Sequence, residues 1–207
     1  MYVECGSDAT HLKNLARAFQ QLPTQLQETC LEWRVTFNFA MLCTASGNSS
    51  TFYGDFTRST KEGVSPHVEM GRKSLQPSYI LAHLTHELCH LFWRTRSQKE
   101  QELYRQFLRE TCTEDTVEIT EYVHEYFESH LKAVGGKSAE AKSWNKASCF
   151  NRWVEESFCD TIAAIVDPAY PSYNDHSTVD LATRRLVIIA TFGLELPEIS
   201  VSGKAKN

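Results

Sequence analysis

"AHLTHELCHLFW", residues 82–93, decides how the rest of the chain is read. Leu81, Leu84, Leu88, Leu91 and Phe92 surround its polar residues and predict a largely buried helix from about Ser78 to Trp93, with Pro77 near its first turn. His86 and His90 stand four residues apart, so a helix projects both imidazoles from one face, with Glu87 beside them. Buried imidazoles and carboxylates require partners. A solvated, histidine-rich surface helix therefore fits poorly, and an ion shared between the two imidazoles fits well.

Residues 86–90 match H-E-x-x-H, in which two histidines hold zinc and the glutamate deprotonates the metal's water. Two ligands do not complete a site. A third histidine six residues after His90 would suit one zinc class, but position 96 is arginine. Further on, "RWVEESFCDTIAAIVDP" places Glu156 and Asp160 four apart on a predicted helix that starts near Ser148 and ends before Pro168. Glu156 can complete a two-histidine, one-carboxylate site that leaves a fourth position for water. Asp160 can accept a hydrogen bond from a ligand imidazole and fix its tautomer. The competing reading is an amphipathic helix carrying ordinary surface acids. His83, one turn before His86, reads as a residue beside the ligands, with a ligand role as the alternative. Cys89 and Cys159 read as apolar fillers where two ligand helices approach each other.

Around this pair of motifs the chain divides into early strands and later helices. Leu12, Leu15, Ala16 and Phe19 give a helix that stops before Pro23, and a shorter one follows from Thr24 to about Leu31. Val35, Phe37, Phe39 and Met41 alternate with Thr36, Asn38 and Ala40, predicting a strand with one buried face. Two short strands are expected at Thr51 to Thr57 and His67 to Arg72. Helices are expected within 98–110 and 114–132, and from Ser177, where Ser177 and Asp180 fit a capping box, to Gly193. The layout argues α+β in one domain, 1–207, with a mostly helical C-terminal half and a helical insertion at 97–147 between the two motifs.

Composition excludes several classes. With 42% hydrophobic and 23% charged residues a packed core is expected, and a net charge of −5 gives no sign of nucleic-acid binding. No apolar run approaches the roughly 20 residues that span a bilayer. The first residues lack a basic stretch followed by an apolar one, so no secretory signal is expected. Seven scattered cysteines without a C-x-x-C pair read as reduced thiols in a cytoplasmic protein.

H-E-x-x-H followed by E-x-x-x-D on a later helix resembles the gluzincin zinc metallopeptidases. The segment Glu156 to Pro168 is also similar to the ImmA/IrrE-type peptidases, although about 65 residues separate the two motifs here, more than in that type. The resemblance implies a minimal zincin-like fold, with a small antiparallel or mixed sheet packed on the motif helix and the ligand helix. It implies one zinc ion held by His86, His90 and Glu156, with Glu87 as general base and Asp160 behind the ligands. Tyr173 and His176, in the loop after the Glu156 helix, are candidate hydrogen-bond donors to the transition state, and Tyr170 shares that loop. The segments "STFYGDFT" and "HVEMGRK" are candidates for an edge strand that pairs with an extended substrate. The expected function is zinc-dependent hydrolysis of peptide bonds in a specific intracellular protein. The alternative is a catalytically silent zinc-binding interaction module on the same fold, against which the intact Glu87 argues.

Overall fold

The computed structural model describes residues 2–4, 9–40, 51–53, 66–71, 74–111, 125, 146–169 and 179–199. It divides into two compact units, Met1–Thr95 with Cys159–Asn207, and Arg96–Phe158.

In the first unit, strand β1 (Tyr2–Glu4) leads to helices α1 (Ala9–Gln21) and α2 (Thr24–Glu32). Of the apolar residues that the spacing picks out, Leu15 is buried and Leu12, Ala16 and Phe19 are half-buried, while Ala18, outside that pattern, joins Leu15 in the core. Helix α2 ends by reversing the chain. Arg34 takes a left-handed conformation, φ 52°, while the Arg34 amide donates to the Leu31 carbonyl and the Val35 amide to the Cys30 carbonyl. This is the hydrogen-bond pattern of a Schellman cap, here with arginine where glycine is usual. It feeds the chain directly into β2 (Thr36–Ala40).

Strands β3 (Thr51–Tyr53) and β4 (His67–Gly71) complete a sheet of order β1-β2-β4-β3. β1 and β4 both run parallel to β2, and only β3 is antiparallel, to β4. The sheet is therefore mixed and mainly parallel, so the antiparallel form of the expectation does not hold. The α1–α2 connection explains this: two helices between β1 and β2 return the chain to the same end, which a hairpin cannot do. Phe37, Val68 and Met70 are fully buried, which is the period-two pattern of a sheet with a covered face.

Helix α3 (Ile80–Thr95) carries the H-E-x-x-H residues and contacts α1, α2 and β3. It starts two residues later than expected. Pro77 lies in the turns before it, where the Tyr79 and Ile80 amides both reach the Gln76 carbonyl. Ala82, Leu84, Leu88, Leu91 and Phe92 are buried, so nearly every side of this helix is covered. Helix α6 (Val179–Phe192) ends at Gly193, whose φ of 67° suits a residue without a Cβ. The segment after it is tied down by Arg185, which donates to the Leu196 and Pro197 carbonyls, and by Gln25, which donates to the Gly193 carbonyl.

In the second unit, α4 (Gln98–Thr111) opens on a capping box. The Ser97 amide donates to the Glu100 carboxylate at 2.8 Å, and the Glu100 amide donates to Ser97 Oγ at 3.3 Å. The bond to Ser97 holds the Glu100 carboxyl below its usual range. Tyr104 and Leu108 from α4 are buried with Cys149, Trp153 and Phe158 of helix α5 (Lys146–Val166). Tyr104 meets the Phe158 ring edge-on, at a centroid distance of 5.6 Å. The helix expected within 114–132 lies outside the described residues. Among the described residues, no helix is long and apolar enough to cross a membrane.

Candidate metal centre

His83, His86, Glu87 and His90 fall at i, i+3, i+4 and i+7 of α3 and so share one face. Burial of the helix carries polar groups inward with it: His83, Glu87 and His90 are all buried, and His86 is half-buried. The neighbouring Thr85 is satisfied locally, its hydroxyl donating to the Leu81 carbonyl.

Helix α5 supplies the other half. Asp160 Oδ1 lies 2.8 Å from His86 Nδ1, with the two side chains 14% and 20% exposed. A proton on Nδ1 donated to this carboxylate leaves the lone pair on Nε2, the nitrogen then free to bind an ion. Glu156 precedes Asp160 by one turn of the same unbroken helix. One ligand atom from each of His86, His90 and Glu156 lies within 4.8 Å of the other two. A tetrahedral site with bonds of about 2.0–2.2 Å needs such atoms about 3.4 Å apart. The His86 and His90 rings stand nearly perpendicular, at 78°, with centroids 5.0 Å apart. They do not stack face to face.

The donors therefore fit a divalent metal ion. Two imidazole nitrogens and a carboxylate oxygen suit several first-row ions, zinc among them. Negative charge is concentrated around the donors. Both Asp160 and Glu87 act on the Cys89 thiol, which burial first and these two carboxylates next push well above its ordinary pKa. That thiol stays protonated, opposite to the thiolate that binds metal, and Cys89 is not in the donor group.

His83 is not in the donor group either. Its Nδ1 is 2.5 Å from the buried Ser74 Oγ, and its ring lies 6.0 Å from that of Tyr79. Cys159 is buried on α5. Tyr170, Tyr173 and His176 lie outside the described residues.

Two participants were not singled out in the sequence. Ser74 joins His83 through a loop, and no local pattern announces that contact. Arg152 places Nη2 2.7 Å from Glu156 Oε1 and Nη1 3.6 Å from Glu155 Oε1. The R-x-x-E-E spacing of residues 152–156 was the available signal, because i,i+3 and i,i+4 pairs meet on a helix. Compared with protein-family models, curated proteins and solved structures, the chain gives no match.

Proposed function

We propose that this chain is a zinc-dependent endopeptidase of gluzincin type with a minimal zincin-like fold, cutting a specific protein inside the cell. One observation carries the reading: His86, His90 and Glu156 converge to within 4.8 Å, with Glu87 beside the first ligand and Asp160 on the back of its ring.

When bound, the ion supplies a Lewis acid that polarises a carbonyl and makes water a nucleophile near neutral pH. The remaining tasks fall to the chain. His86 and His90 present neutral imidazole nitrogens, and Asp160 keeps the His86 proton on Nδ1. Glu87, buried and adjacent to His86, takes the proton from the attacking water and passes it to the departing amine. A pure binding module has no use for a carboxylate at that position.

The sheet offers a place for an extended substrate. β4 is an interior strand, which removes "HVEMGRK" as a docking edge, whereas β3 within "STFYGDFT" lies, among the described residues, at the end of the order β1-β2-β4-β3. A peptide added alongside β3 gains main-chain hydrogen bonds, and β3 also contacts the motif helix. The stretch 97–147 then acts as an insertion between the two halves of the metal centre.

The test compares wild type, chelator-treated protein and Glu87→Gln on a proteome-derived peptide mixture, reading new N-termini by mass spectrometry. New termini from wild type alone are expected. Equal cleavage by Glu87→Gln, or by the metal-stripped protein, overturns the proposal.

A further inference from the structure

Helix α5 sets Arg152, Glu156 and Asp160 at i, i+4 and i+8, a stripe of three charged residues along one face. Asp160 holds His86 from behind, one turn after Glu156. Arg152 meets Glu156 one turn before it. We infer that Arg152 is a positioning residue for the metal ligand Glu156: its guanidinium takes Oε1 and fixes the carboxylate so that the second oxygen faces the two histidines. The inference rests on the metal-centre reading above.

The contact differs from an ordinary surface pair. Arg152 and Glu156 meet at 2.7 Å with side chains 28% and 26% exposed. The pair Arg109–Glu102 is nearly as short, at 2.8 Å, but its side chains are 52% and 55% exposed, so burial rather than length sets the Glu156 contact apart. A separation of 2.7 Å is at the short end for a charge-assisted bond, and a carboxylate has acceptor sites enough for a guanidinium and an ion together. Without that hold, Glu156 must give up side-chain freedom when an ion binds.

Two effects of Arg152 on metal affinity have opposite signs. As a cation near a dication it weakens binding, and as an orienting partner it strengthens binding. Glu155 decides between them. It also lies against the guanidinium, at 3.6 Å, so the Arg152–Glu155 pair has no net charge and its repulsion of an ion largely cancels. Orientation is left. Partners of this kind typically change metal affinity by about 10–100-fold when removed.

The experiment measures the zinc Kd by competition with a chromophoric chelator for wild type, Arg152→Ala, Arg152→Gln and Arg152→Lys. The melting temperature of each metal-free protein is recorded alongside. Arg152→Ala and Arg152→Gln should bind zinc about 10–100-fold more weakly. Arg152→Lys should recover part of the loss, since it keeps the charge without the planar fork. Metal-free melting temperatures should stay within a few degrees of wild type; a purely helix-stabilising pair would move these and leave Kd alone. If Arg152→Ala does not fold, the ranking of Lys over Gln carries the test. Wild-type or tighter affinity in Arg152→Gln, or equal affinities for Lys and Gln, overturns the assignment. Wild type that takes up no zinc overturns the metal centre and this inference together, whereas zinc-binding wild type with unchanged variants overturns this inference alone.

Discussion

Removing Asp160 should weaken metal binding without unfolding the protein, by an amount that depends on what replaces it. Asp160 Oδ1 accepts from His86 Nδ1 at 2.8 Å, and both side chains are mostly but not fully shielded from water. The contact does two things. It selects the tautomer with its lone pair on Nε2, and it places a negative charge behind the ring, which makes that nitrogen a better donor. Asp160→Asn keeps an oxygen that accepts the Nδ1 proton and loses the charge. It should cost about tenfold in Kd, or about 1.4 kcal/mol. Asp160→Ala loses the tautomer selection as well and should approach 100-fold, the upper end for such partners. The assay is chelator competition for zinc, with far-UV circular dichroism and metal-free melting as folding controls. The order wild type, Asn, Ala follows only if the contact orients a ligand. An Asp160→Ala protein that folds normally and binds zinc within about twofold of wild type refutes the argument, because His86 then needs no orientation.

Two further outcomes follow from the core. Phe158→Ala deletes a fully buried ring packed edge-on against Tyr104 and should cost about 3–5 kcal/mol, lowering the melting temperature by roughly 10 °C. A shift under about 2 °C would show that Phe158 is not packed as described. Burial pushes the Cys30 thiol up to about 12, so this group favours the folded state below pH 9, the ordinary thiol value. That contribution declines as pH rises from 9 through about 12, because the unfolded chain ionises first. Cys30→Ser should flatten the alkaline limb of a denaturation series, and an unchanged limb contradicts the assignment. At neutral pH, Cys30, Cys89, Cys149 and Cys159 should all resist alkylation until denaturant is added, because each is buried as a free thiol.

What the sequence made legible was what repeats locally. Leu12 to Phe19, the alternation from Val35, and the apolar positions around His86 and Glu156 each lie within one element, so their spacing alone located α1, β2, α3 and α5. That His86 and His90 share one face, and Glu156 and Asp160 another, also follows from helical spacing, but that the two pairs meet does not. β1 could not be read, because three residues are too few to establish period two and its partner β2 is more than thirty residues away. The parallel sheet order was hidden for the same reason: strand pairing depends on which segments meet in space. The left-handed turn at Arg34 was also unannounced, since neither glycine nor asparagine marks it. Ser74 beside His83 is a loop contact with no periodic signature. Arg152 was legible in principle, but its partner gains importance only once Glu156 is counted as a ligand.

The most direct test of the central claim is metal content measured together with turnover. Elemental analysis of wild type, Glu87→Gln and His90→Ala after saturation with zinc and desalting should give one zinc ion per chain, one, and close to none. Only wild type should cleave peptides. Zinc retained in full by His90→Ala, or peptide cleavage sustained by Glu87→Gln, would contradict the account.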